Sequence, residues 1–168
     1  MHKQKRRIVT KLLALMLCLG GLVGIGICLW TYIQIFAQAG MKFSSTAALF
    51  GVFIVIFGWS AWVGVELWQD KPQAYKWAKI LFLLQIPTIS VSHFAYQFYT
   101  ALMLGLEFNR DNDKIGLDFQ IASSIDFRIA RDIDNIILGV NLIAVAALVY
   151  LVTVTRTTKQ AQTSVVDI

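Results

Sequence analysis

Four stretches of the chain are apolar for too long to suit the core of a soluble protein. They cover residues 12–36, 47–68, 78–104 and 136–154. A helix needs about 20 mostly apolar residues to cross a hydrocarbon layer some 30 Å thick. Each stretch is near or above that length, so the pattern predicts four transmembrane helices. Trp30, Tyr32, Trp68, Tyr75, Trp77, Tyr99 and Tyr150 lie near their ends, where aromatic rings favour the headgroup zone. The fold expected is an all-α membrane protein, an antiparallel four-helix transmembrane bundle in one domain.

Residues 107–135 between the third and fourth stretches follow another rhythm. Ile115, Leu117, Phe119 and Ile121 alternate with Gly116, Asp118 and Gln120, and Ile125, Phe127 and Ile129 alternate with Asp126 and Arg128. A period of two gives one apolar and one wet face, as in a strand. The pattern predicts a small β-hairpin outside the membrane, turning at Ala122-Ser123-Ser124. Its apolar face needs a cover, from the bundle or from another molecule, because a lone hairpin is marginal in water.

Charge then orients the chain. It has 168 residues, 57% hydrophobic and 15% charged, with a net charge of +5. Ten of the 15 Lys and Arg residues fall in the N-terminal segment, the loop between the second and third stretches, and the tail: Lys3, Lys5, Arg6, Arg7, Lys11, Lys71, Lys76, Lys79, Arg156 and Lys159. Positive residues stay inside, so both termini are expected in the cytoplasm. The imbalance suits a bacterial inner membrane. The same placement makes the basic balance an orientation signal with no bearing on nucleic acid. The basic start at residues 1–7 resembles a secretory leader, but the apolar stretch after it exceeds the 7–15 residues of such leaders. An uncleaved helix is expected.

Small residues mark close helix approaches, because lipid supplies no hydrophobic drive between helices. Gly20 and Gly24 form a Gly-x-x-x-Gly step, and Gly51 and Gly58 are seven apart. Both pairs are expected at helix contacts, within the bundle or with another chain.

The most polar apolar stretch is the third. Gln85, Thr88, Ser92, Tyr96 and Thr100 recur at steps of three and four, which sets them on one helical face, with His93 and Gln97 beside it. Polar groups in lipid are costly and turn to the bundle interior. Gln85, Thr88, Ser92, His93, Tyr96 and Gln97, with Asn141 of the fourth stretch as a hydrogen-bond partner, therefore form the candidate intramembrane site. Pro87 should kink this helix.

Little else carries chemistry. Cys18 and Cys28 sit inside the first apolar stretch and form no Cys-x-x-Cys pair. Asp111-Asn112-Asp113 opens like a calcium loop, but Ile115 and Ala122 stand where oxygen ligands belong. No zinc, phosphate-loop or nucleophile-elbow motif occurs. His93 has no second intramembrane histidine with which to hold a haem. No cofactor, metal or catalytic role is expected. The residues point to association: an accessory or partner-binding membrane subunit, in contact with the bilayer and with another copy or a membrane protein partner. The alternative is an oligomeric small-solute transporter or channel with the third helix lining the path.

Overall fold

The computed structural model describes residues 2–39, 45–91, 94–110, 114–129 and 136–166. Its elements run α1 (His2–Ala39), α2 (Ser45–Trp68), α3 (Pro72–Leu84), β1 (Pro87–Val91), β2 (Phe94–Tyr99), β3 (Leu102–Asn109), β4 (Lys114–Ile121), β5 (Ser124–Ile129), β6 (Ile137–Asn141) and α4 (Leu142–Val166). The strands make one antiparallel sheet in the order β4-β3-β6-β1-β2-β5. This overturns the expected all-α four-helix bundle. Among the described residues two segments, Arg6–Ala37 in α1 and Ala48–Trp68 in α2, are long and apolar enough to cross a membrane, and the apolar part of α4 is shorter.

The third and fourth apolar stretches each change structure partway. α3 has 13 residues, about 20 Å at 1.5 Å per residue, too short for a 30 Å core. Pro87 explains why it stops. Proline pushes the residue before it out of the helical region and offers no amide hydrogen to the turn below. Here it ends a helix and opens a strand, where a kink was expected. The residues beyond are rich in β-branched and aromatic types, which suit a pleated surface. In the fourth stretch the break falls at Asn141. Its Oδ1 accepts from the backbone N–H of Ile143 (3.1 Å) and Ala144 (3.4 Å). That is the geometry of a helix N-cap, so β6 ends and α4 begins there.

The two alternating segments are both strands, β4 and β5, but they do not form the expected hairpin. β4 pairs with β3, from Leu102↔Ile121 to Asn109↔Lys114, and β5 pairs with β2. The short connection between them joins opposite edges of the sheet. Period two identifies a strand and says nothing of its neighbour.

α1 and α2 pack as a pair around Leu17, Phe57, Val63 and Leu67, and α3 and α4 add Leu81, Phe82 and Leu151 to the same core. Ser60 Oγ donates to the Leu17 carbonyl across the α1–α2 seam (3.2 Å). Four glycines decide how closely things meet. A Cβ on Gly21 would stand 2.5 Å from the Phe57 carbonyl oxygen, and one on Gly64 2.5 Å from the Cys18 nitrogen. Gly24 lies under the Phe57 ring. Gly20 meets the β2–β3 turn at Thr100 and Ala101, where Ala101 has a positive φ of 68°. Of the four glycines expected at contacts, Gly51 faces open space and Gly58 has only ordinary contact with Ile25.

The helices share one basic end. Arg7 pairs with Asp70 (3.7 Å), Lys71 with Glu66 (3.0 Å), Lys11 lies 4.9 Å over Trp68, and Thr10 Oγ1 lies 3.0 Å from the Tyr150 hydroxyl.

Candidate functional site

The sheet has two unlike faces. In an antiparallel pair, residues opposite one another project to the same side. The register therefore places Thr88, Ser90, Gln97, Tyr99, Met103, Glu107, Asp118, Gln120, Asp126 and Asn141 on one face. Leu106, Phe108, Ile115, Leu117, Phe119, Ile121, Leu138 and Val140 fall on the other.

The polar face is concave. The Tyr99 hydroxyl on β2 meets Gln120 Oε1 on β4, although three strands separate them in the sheet. Flat strands at about 4.8 Å spacing would hold them roughly 19 Å apart. Gln97 Nε2 likewise donates to Met103 Sδ (3.0 Å). The sheet thus curls until its polar side closes on itself, burying Met103, Tyr99 and Asn141. Gly139 gives the curl room: a Cβ there would sit 2.9 Å from Glu107 Cγ and 3.2 Å from Thr88 Cβ.

Inside the curl is a cavity of about 230 Å³, whose lining includes Thr88, Gln97, Glu107, Asp118, Gln120 and Asp126. Burial, and secondarily the charge of Asp118, pushes the Glu107 carboxyl above its ordinary value of 4.5. The cost of that charge is full above the raised value, shrinks as pH falls below it, and is gone once pH is below the ordinary value of 4.5. Glu107→Gln should therefore raise the unfolding midpoint at pH 7 and leave it unchanged below pH 4, as thermal unfolding at both pH values would show.

The predicted intramembrane residues are divided by this arrangement. Thr88 and Gln97 project into the cavity. Tyr96 borders it, but the register turns its side chain to the other face, where its hydroxyl donates to the Leu84 carbonyl (2.8 Å). Gln85 caps α3, and its Oε1 accepts from the Thr100 amide (3.2 Å) and hydroxyl (3.3 Å). Asn141 caps α4. Ser92 and His93 lie outside the described residues, as do Asp111, Asn112 and Asp113. The helical spacing did not reveal Glu107, Asp118, Gln120 or Asp126. Their signal was alternation, which runs from β3 through β5.

Small-molecule pockets usually span roughly 300–1,000 Å³, so this cavity is small. Among the described residues no three His, Cys, Asp or Glu side chains gather as metal ligands do. The cavity is best described as the polar interior of the curled sheet.

The outward face is the less ordinary feature. On β4, Ile115, Leu117, Phe119 and Ile121 are 73%, 71%, 59% and 73% exposed, and they continue into exposed Leu106, Phe108, Leu138 and Val140. β4 is also an edge strand, paired on one side only among the described residues. An apolar surface of this extent beside an open edge marks an interaction surface. No family model, curated protein or solved structure matches the chain, so the site rests on this geometry alone.

Proposed function

We propose that the chain works by association: a membrane-anchored subunit whose sheet is extended by another polypeptide along β4. In this reading α1 and α2 cross the bilayer, with the basic helix end and both termini on the cytoplasmic side, as in a bacterial inner membrane. The observation that carries it is the exposed apolar β4 edge. Water disfavours its side chains. Lipid disfavours its unpaired backbone groups, which have no partner in hydrocarbon. An added strand pairs those backbone groups and sets apolar neighbours beside the side chains.

A second copy suits the edge. If β4 paired antiparallel with itself about Leu117, Ile115 would face Phe119 of the second copy, and the two Leu117 side chains would meet at the axis. Lys114 and Asp118 of the second copy would both lie diagonal to Asp118, and no like charges would stand directly opposite. Opposite charges and apolar pairs placed this way stabilise a sheet. The transport alternative needed a complete third helix to line a path, and α3 stops at Leu84.

Native mass spectrometry of the protein in lipid nanodiscs tests this. Leu117→Lys and Leu117→Glu each put like charges at the axis and should weaken the dimer at least tenfold. Mixing the two variants should restore it. A heteromer lost in both variants would keep the association role and name a different occupant. A wild-type chain that remains alone, or a Leu117→Lys protein that assembles as wild type does, would sink the proposal.

A further inference from the structure

A second feature lies at the other end of the molecule, where α3 packs on α4. Pro72, Tyr75, Lys76 and Lys79 are spaced by three and four residues along α3, and Thr155 and Arg156 face them from α4. Together they line a cleft of about 420 Å³. Among the described residues no carboxylate lines it. Lys79 Nζ donates to Thr155 Oγ1 (3.1 Å), which holds its charge between the two helices. Lys76 Nζ lies 5.7 Å from the Trp77 ring. The closest acid along α3 is Asp70. It accepts from the Tyr75 hydroxyl (3.2 Å) and pairs with Arg7, so its charge is already engaged. The cleft also opens at the first turn of α3, where the helix dipole adds positive potential.

Three cations and a helix start, with no carboxylate among the described lining residues, leave positive charge in excess in the cleft. That surplus suits an anion with several oxygens. We infer that the α3–α4 cleft binds a phosphate group, through Lys76, Lys79 and Arg156. Arginine and lysine around a tetrahedral anion form charge-assisted hydrogen bonds, about twice the strength of neutral ones. The cleft sits at the same helix end as Arg7 and Lys11, which the membrane reading places at the cytoplasmic headgroup layer. An anionic phospholipid is therefore one source of the phosphate, and basic pockets between helices there commonly hold such headgroups. A soluble phosphate compound is the other. The lipid source rests on the membrane reading; the phosphate chemistry does not.

Native mass spectrometry of the full chain separates the sources. One arm uses nanodiscs of phosphatidylcholine with a minor fraction of phosphatidylglycerol. The other uses phosphatidylcholine alone, with inorganic pyrophosphate added. The phosphate site predicts retention of phosphatidylglycerol at least tenfold above phosphatidylcholine, or, if the ligand is soluble, retention of pyrophosphate in the second arm. The Lys76→Gln, Lys79→Gln, Arg156→Gln triple variant should lose that binding tenfold. Lys79→Arg, which keeps the charge and fold, should retain it, and so should Lys114→Gln on the sheet. Retention of neither probe, or equal retention by the triple variant, would overturn the inference. If assembly through β4 fails its own test while this binding holds, the cleft stands independently.

Discussion

Gly21→Val should prise α1 from α2 and cost about 3 kcal/mol, the upper part of the usual overpacking range. The physical reason is the identity of the opposing atoms. A Cβ at Gly21 would lie 2.5 Å from the Phe57 carbonyl oxygen and 2.6 Å from the Ala61 nitrogen. Both belong to the α2 backbone and cannot rotate away as a side chain can. Gly64→Val should act alike from the other helix, against the Cys18 nitrogen and the Ala14 carbonyl oxygen (2.7 Å). Gly51 is the control. Open space surrounds it, so Gly51→Ala should be neutral or stabilising by up to about 1 kcal/mol through helix propensity. Denaturant titration of the purified proteins, followed by circular dichroism, reads all three. Equal stability of Gly21→Val and Gly51→Ala would contradict the helix pairing.

Asn141→Leu should cost a similar amount, about 3 kcal/mol. The side chain is 1% exposed. Its Oδ1 is shared by the Ile143 and Ala144 amides of α4, with the Leu104 amide of β3 at 3.5 Å. Losing an N-cap costs about 0.5–2 kcal/mol, and a buried amide left without an acceptor about 1–3 kcal/mol. Leucine fills the volume and supplies no acceptor, so both penalties apply. Asn141→Asp keeps the acceptor oxygens at the favourable end of the α4 dipole and should fall between. If Asn141→Leu unfolds at the wild-type denaturant concentration, the junction between sheet and helix is misplaced.

That junction shows how much of the fold could be read from residues. α1 and α2 were legible because their apolar length has few other uses. The strands β4 and β5 were legible because Ile115–Ile121 and Ile125–Ile129 alternate without interruption. The third and fourth stretches were misread for one reason. A continuous apolar run suits a helix or a buried strand, and periodicity alone does not separate them. Gln85, Thr88, Ser92, Tyr96 and Thr100 matched a helical face, while Thr88, Ser90 and Gln97 also match the polar face of a strand. Two local signals were decisive. Pro87 stops a helix more readily than it bends one, and Asn141 before Leu142 is a cap. The pairing of β4 with β3, and the curl that brings Tyr99 to Gln120, depend on contacts remote in sequence. No local pattern encodes them.

The candidate site divides in the same way. Thr88, Tyr96 and Gln97 were singled out for their polarity among apolar neighbours; Thr88 and Gln97 project to the cavity, and Tyr96 to the other face of the sheet. Glu107 and Asp118 were read as residues of an outer segment, since the turn of the sheet that carries them inward was not visible. Gly51 and Gly58 were paired because a seven-residue spacing shows which glycines share a face. It does not show which face meets a neighbour.

Hydrogen exchange along β4 reports whether another strand covers that edge. In the isolated chain β3 can protect only every other amide of residues 114–121, since the remaining ones point to the open edge. Exchange would be followed by mass spectrometry, in native membranes and again after the protein is extracted as a monomer. If another strand covers β4, the edge-facing amides will be slow in the membrane and fast in the monomer, while α1 and α2 stay slow in both. Edge-facing amides that exchange equally fast in both states would mean that nothing pairs with β4, and association through this edge would be wrong.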